Sequence, residues 1–305
     1  MAQALLAYSV GQNALGIKMM PYTTEQEVRV MSLSVNNNPG ALVALQNLTS
    51  TEASLQTAQN QVSTGLAISA PSDNGAIWAI AQNQRATALS LDSVTQSLQR
   101  AQSSIDVATS AGQSVSDLLN QLKSKALAAS DTSLDSASRS ALNADFSSLR
   151  NQITSVVNNA SFNGVNLIDS GAKNLYALAN AAGTSSLTIA AQDLSLGGSN
   201  VTLTATTSIG TATQAFNAIA TVETSITNVN NALAKLGTSE NSLSGELTFV
   251  GNLQDTIDTG VGNLVNANLA KESAQLQALQ TKQQLGIQAL SIANSSSSTL
   301  LSLFR

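Results

Sequence analysis

Residues 264–305 read LVNANLAKESAQLQALQTKQQLGIQALSIANSSSSTLLSLFR, and the way this stretch must bury itself decides the fold. It holds no proline and a single glycine, Gly286. Leu269, Leu276, Leu279, Leu290, Ala293, Leu300 and Phe304 fall on one alternating three-and-four register, with Gln283, Gly286 and Ser297 as its weak members. Ala278, Leu285 and Ile292, seven apart, form a second apolar line beside it. A helix with apolar lines on two sides has more to bury than one partner helix covers. Alone in water it lacks the tertiary contacts that supply most helical stability, so it must pack on neighbours.

Working outward, the matching seam lies near the other end of the chain. Ala41, Leu45, Leu48, Leu55, Val62 and Leu66 keep the same register, with Glu52 and Gln59 as polar members. Pro39 suits a first helical position and Asn38 the cap before it. Gly65 and the run Ala70-Pro71-Ser72-Asp73-Asn74-Gly75 break this helix. One carboxylate beside one amide falls far short of a calcium site, so Asp73 and Asn74 are read as a turn and a helix cap. Two terminal helices with matching seams predict an antiparallel pair closing a long hairpin of chain.

Between them runs the longest regular pattern. Leu91, Val94, Leu98, Ala101, Ile105, Ala108, Gly112, Val115, Leu119, Leu122, Ala126 and Ala129 alternate three and four without a break, which as a helix spans roughly 58 Å. Residues 130–135 end it. Leu142, Phe146, Leu149, Ile153, Val156 and Ala160 then make a shorter helix able to fold back. Phe162-Asn163-Gly164 is a tight reversal, with Leu167 and Ile168 as an apolar anchor. Leu187 and Ile189, then Val201, Leu203 and Ala205, alternate with threonines around Gly197-Gly198 and predict an antiparallel hairpin. The return helix starts near Ala212. Its seam runs through Ala215, Ile219, Val222, Ile226, Val229, Leu233, Leu236, Leu243, Leu247, Val250, Ile257, Val261 and Leu264, with Glu240 and Gln254 as polar members. Gly237, Gly245 and Gly251 cost about 1 kcal/mol each against alanine and mark places to bend. The predicted fold is mainly α: a long antiparallel helical rod or coiled-coil bundle formed by both chain ends, with a small β-hairpin tip.

Composition excludes several function classes. The chain of 305 residues is 43% hydrophobic but 3% aromatic and 10% charged, a balance that suits close-packed helices and not disorder. Net charge is −5 and the basic residues are scattered, so no stripe tracks a phosphate backbone. With no cysteine there is neither disulfide nor thiolate chemistry, and with no histidine neither a histidine zinc site nor a serine–histidine triad. No run of eighteen apolar residues is present to span a membrane. No catalytic, cofactor-binding or metal-ligating set is read, and the protein is expected not to be an enzyme.

The ending Leu300-Leu301-Ser302-Leu303-Phe304-Arg305, the stretch Leu290-Ser291-Ile292-Ala293-Asn294 and the turn Phe162-Asn163-Gly164 resemble bacterial flagellin, the filament subunit, most closely of the alphaproteobacterial type. The resemblance covers residues 31–305. It implies a terminal-helix inner domain of 31–72 with 262–305 and a helical rod domain of 73–170 with 211–261. Residues 171–210 are then a short β region, and outer variable domains are essentially absent. It further implies a structural subunit that self-assembles into the flagellar filament for swimming motility. Leu45, Leu48, Leu55, Val62, Leu276, Leu279, Leu285, Leu290, Ile292, Leu300 and Phe304 are the self-assembly candidates. Implied partners are other flagellin subunits, hook-associated and cap proteins, and a cytosolic secretion chaperone, with no nucleic acid and no membrane insertion. Export would use the flagellar type III apparatus without a cleaved signal peptide, the unfolded chain passing a channel in which a disulfide would obstruct.

Two other classes compete: a hook–filament junction protein, which shares the terminal helices, and a cell-surface carbohydrate-binding flagellin homologue. The latter calls for aromatic platforms on an enlarged outer domain, whereas Trp78 lies in a helical segment. Many flagellins also carry a text on the outbound helix that an animal innate-immune receptor reads. The matching stretch here is Leu119-Asn120-Gln121-Leu122-Lys123-Ser124-Lys125-Ala126, in which Gln121 stands for the family's arginine and Ser124 for its glutamate.

Residues 1–30 lack both a basic secretory opening and the periodicity of the rest. Met31-Ser32-Leu33-Ser34-Val35-Asn36, by contrast, resembles a flagellin start. Residues 1–30 are therefore an extension expected to be missing from the mature protein. Intact mass of the chain recovered from sheared filaments should match a start at Met31 or Ser32; filaments retaining 1–30 would contradict this.

Overall fold

A computed structural model describes residues 37–302, with side chains over 37–295. The extension 1–30, Met31 and Phe304 lie outside the described residues. The element order is α1 (Pro39–Thr64), α2 (Gly75–Ala129), α3 (Ser136–Asn159), β1 (Ser161–Phe162), β2 (Val165–Asn166), β3 (Leu175–Leu178), β4 (Ser186–Ile189), α4 (Ala212–Val265) and α5 (Leu269–Ser302). The fold is mainly α, with helices from both chain ends and two small antiparallel sheets. The chain divides into two compact units, 37–56 with 277–302, and 57–276.

The larger unit is built on α2 and α4, of 55 and 54 residues, each about 80 Å long. They run antiparallel in one register. Asp92 accepts a 2.8 Å hydrogen bond from Gln254, Gly112 lies under Leu233, Ser116 reaches Asn230, and Lys123 pairs with Glu223. All twelve residues of the 91–129 pattern are buried, and the helix extends back to Gly75 with Ala81 and Ala88 also inside. Asn74 caps it by accepting from the Ile77 amide at 3.1 Å, and the Asp73 carboxylate ties the preceding turn to Ser69 and Ala70. Thr211 and Gln214 form a reciprocal capping box at the start of α4. No break occurs in α4 at Gly237, Gly245 or Gly251.

The buried line of α4 differs from the predicted one. Ala218, Ser225 and Ala232 sit at its centre, and Ile219, Ile226 and Leu233 flank it, half buried. Small residues let the two backbones approach, while the large ones close the sides of the seam. Gly112 is the extreme case: a Cβ there would lie 2.7 Å from Leu233 Cδ2 and 3.4 Å from Leu194 Cδ1. Helix α3 folds back on α2 and buries Phe146, Ile153 and Val157. Arg139 closes the turn before it by donating to the carbonyls of Ala129, Asp131 and Leu134.

Asn163 and Gly164, with φ of 51° and 78°, make the two-residue turn of β1–β2, after which Leu167 and Ile168 are fully buried. The predicted hairpin around Gly197-Gly198 is not formed. Strand β4 does include Leu187–Ile189, but its partner is β3, with Leu175 opposite Ile189. Residues 201–205 are not a strand, and Val201 makes only an isolated bridge to Leu196. The cause is competition for backbone donors: the Thr202 amide donates to Ser225 Oγ on α4, and the Gly197 amide turns inward to the Val201 and Leu203 carbonyls. The alternation is real nonetheless, since Val201 and Leu203 are buried against the helices.

The stretch 264–305 is likewise not one helix. Helix α4 ends at Val265, whose carbonyl accepts from the Ala67 and Ile68 amides, while the Ala267 amide donates to Gly65. Asn268 then caps α5, accepting from the Lys271 amide. In the smaller unit, Asn38 caps α1 through the Ala41 amide and its Nδ2 donates to the Ala293 carbonyl at 2.7 Å. Leu48 covers Gly286, so α1 and α5 run antiparallel as predicted.

The acidic caps link the fold to pH. Backbone amides hold three carboxyls below the usual carboxylate range: Asp73 through Ser69 and Ala70, Asp131 through Ser133, and Asp135 through Ser138. Because each folded value lies below the ordinary value of 3.8, the stabilisation is complete above that pH. It is lost as pH falls through the lower folded values. Thermal melts followed from pH 7 to 2 should therefore show a melting temperature that declines below about pH 4. In Asp135→Asn, whose amide oxygen accepts at every pH, that decline should be shallower.

Candidate assembly surfaces

On α5 the positions turned inward are Glu272, Leu276, Leu279, Gln283, Gly286, Leu290 and Ala293, an unbroken four-and-three register. None is fully buried, because a single helix of the same chain covers only one side of them. On α1 the inward set is Ala41, Ala44, Leu48, Thr51, Leu55, Ala58 and Val62. It shares Ala41, Leu48, Leu55 and Val62 with the predicted seam but replaces Leu45, Glu52 and Gln59 by the smaller Ala44, Thr51 and Ala58. Glu52 and Gln59 stay in water, where a charge and an amide cost nothing to solvate.

The assembly candidates thus separate into two groups. Leu48, Leu55, Val62, Leu276, Leu279 and Leu290 face inward, buried or half buried. Leu45, Leu285 and Ile292 face outward, 49%, 58% and 70% exposed, with Ala278 on the same outer line as the last two. Leu300 lies in α5, its side chain outside the described residues, and Phe304 lies outside them altogether. Leu42, Val43 and Ile287 are also exposed and lie off both predicted lines. The signal for the first two was present in Ala41-Leu42-Val43-Ala44-Leu45, a run apolar all round the helix. Such a helix needs burial on every side.

In the larger unit Gln121 and Ser124 are exposed on α2 while Leu119, Leu122 and Ala126 beneath them are buried. The lysines between are engaged: Lys123 Nζ lies 2.7 Å from Glu223 on α4, and Lys125 Nζ 2.7 Å from Asp145 on α3. Both pairs are exposed, so each contributes about 0–1 kcal/mol. Their effect is to hold the two ammonium groups against their own unit.

Among the described residues no group of three His, Cys, Asp or Glu side chains is placed to hold a metal, and no helix is long and apolar enough to cross a membrane. What the surfaces offer is apolar lines on helices contributed by both chain ends. Lines of this kind define a self-associating helical subunit. Residues 35–173 match the bacterial flagellin N-terminal helical region, and residues 219–304 the bacterial flagellin C-terminal helical region. Flagellin FljM of Caulobacter vibrioides is 58% identical over 272 residues, covering 89% of this chain and 98% of that protein. Flagellin FljJ of the same organism is 44% identical over 278 residues, 90% of this chain and 99% of its own. A flagellin of Brucella melitensis is 36% identical over 287 residues, with 89% and 99% covered. The chain belongs to the bacterial flagellin family. It is a structural subunit that assembles with other flagellin subunits into the flagellar filament, and not an enzyme.

Proposed function

We propose that residues 31–72 with 262–305 act as the inner, terminal-helix domain of the filament. Residues 73–170 with 211–261 form the rod domain, and 171–210 the short β region packed on its side. The observation that carries this is the outward apolar line of α5, Leu285 and Ile292, together with Leu45 on α1, none of which is covered within its own unit. Burying each such side chain stabilises by about 1.5–3 kcal/mol. A few per subunit offset the ordering of the terminal helices once neighbouring copies are present. Inward residues such as Leu48 and Leu290 hold the helix pair, and outward residues bind the next copy.

The same terminal region supports the remaining partners. Before assembly its apolar lines call for a cytosolic secretion chaperone. The ends of the finished filament call for subunits that offer matching helices, the hook-associated and cap proteins. Export by the flagellar type III apparatus fits a chain without cysteine. Removal of 290–305 should leave a soluble, helical protein, because the α2–α4 core lies outside the deletion, and should abolish polymerisation. Seeded growth followed by electron microscopy checks this, and filaments grown from the truncated chain would overturn the assignment.

Gln121 and Ser124 form the candidate face toward the innate-immune flagellin receptor. Without the arginine this face lacks a planar, multi-donor contact, which neither an amide nor a lysine replaces. Lys123 beside it is turned to Glu223. Interface arginines are often worth about 2 kcal/mol or more, so the monomer should activate the receptor weakly or not at all. In a reporter-cell assay the double change Gln121→Arg with Ser124→Glu should raise activation; potency of the unmodified chain equal to that of an enterobacterial flagellin would contradict the assignment.

A further inference from the structure

Arg100 stands on α2 at the edge of a cleft of about 190 Å3, closed by the β1–β2 turn and by β3. Phe162 and Tyr176 line it, 37% and 63% exposed, with Ser97 and Leu175 behind them. Aromatic residues make up only 3% of this chain, yet two exposed rings meet here beside a guanidinium. Neither ion pair of the described residues involves Arg100. A guanidinium flanked by two rings is suited to receive a carboxylate and an aromatic ring presented together.

Helix α4 carries the converse arrangement. Glu246 and Phe249 lie three residues apart on one face, the phenyl ring 57% exposed and the carboxylate in neither ion pair. The antiparallel register that sets Asp92 against Gln254 and Gly112 against Leu233 brings residue 246 to the level of Arg100. Cleft and knob therefore occupy one level of the same unit, and no hydrogen bond or ion pair joins Arg100 to Glu246.

We propose that the Glu246–Phe249 knob of one copy seats in the Arg100 cleft of a second, Phe249 between Phe162 and Tyr176 and the Glu246 carboxylate on the Arg100 guanidinium. The contact is heterologous, so each copy gives one knob and receives another, and the series need not close. Since both halves sit at one level, it joins copies side by side. This rests on the filament assignment and names one of the contacts that builds it.

Charge reversal tests the pairing in the full-length chain. Arg100→Glu and Glu246→Arg should each raise the critical concentration for polymerisation by about tenfold, with unchanged far-UV circular dichroism. The double exchange should return it to within about threefold of the unmodified chain. The cysteine-free background permits a second measurement: Ser97→Cys with Gly245→Cys should give a ladder of disulfide-linked chains in oxidised filaments and none in dilute monomer. Single reversals that polymerise like the unmodified chain, an exchange that fails to recover, or filaments without a ladder would each overturn the pairing. Failure of the unmodified chain itself to polymerise would instead strike the filament assignment beneath it.

Discussion

The α2–α4 pairing is the constraint on which the remainder of the larger unit depends. Two helices of about 80 Å stay in one antiparallel register from Asp92–Gln254 to Lys123–Glu223. Along it the buried line of α4 alternates large with small: Val222, Ser225, Val229, Ala232, Leu236. Charge does little of this work, because the cross-helix ion pair lies in solvent. Shape does most of it. Gly112 admits Leu233 and Leu194 together, so the β region is docked at the place where α2 has no side chain. Once α2 and α4 are fixed, α3, β1–β2 and the 192–203 segment have defined surfaces to cover.

The same pairing shows how far periodicity carries a reading of the chain. Every seam residue from Leu91 to Ala129 is inside, because on α2 large and small apolar residues, Leu98 and Ile105 with Ala101, Ala108 and Gly112, share one unbroken line. On α1 and α4 a search for large residues places the seam one residue off at alternate turns, since Ala44, Thr51, Ala58, Ala218, Ser225 and Ala232 occupy the centre. A polar serine at a buried position is intelligible only with the fold known. Ser225 Oγ accepts from the Thr202 amide and donates to the Thr221 carbonyl, so burial leaves nothing unpaired. That interaction also removes 201–205 from any ladder, and no local pattern reports it. The break at 266–268 is equally non-local: no proline or glycine stands there, and the helix is ended by amides of residues 67 and 68 reaching the Val265 carbonyl.

The surface chemistry follows from the low charge. Ser and Thr hydroxyls along the helices repeatedly donate to the carbonyl four residues back: Thr49, Thr51, Ser54 and Thr64 on α1, Thr221, Thr224, Thr227 and Thr238 on α4, Thr281 on α5. Such bonds stabilise an isolated helix little. Their value lies in desolvation. A hydroxyl that already has a partner inside its own helix enters an interface without leaving a donor unsatisfied, whereas a lysine or glutamate must bring a counter-charge with it.

This bears on how one sequence serves two states. As a free subunit the chain keeps Leu285, Ile292 and Leu45 in water, and the Ser, Thr, Asn and Gln around them maintain solubility with few charges. In a filament the same faces meet unlike faces of identical copies at every subunit, so any mismatch is penalised at each repeat. Self-satisfied hydroxyls and small apolar residues avoid that penalty at almost any register. Position is then fixed by the few groups that do have a specific complement. The seam lines of α1 and α5 set the helices, and the charged or aromatic side chains that remain unpaired on α2 and α4 set the neighbours.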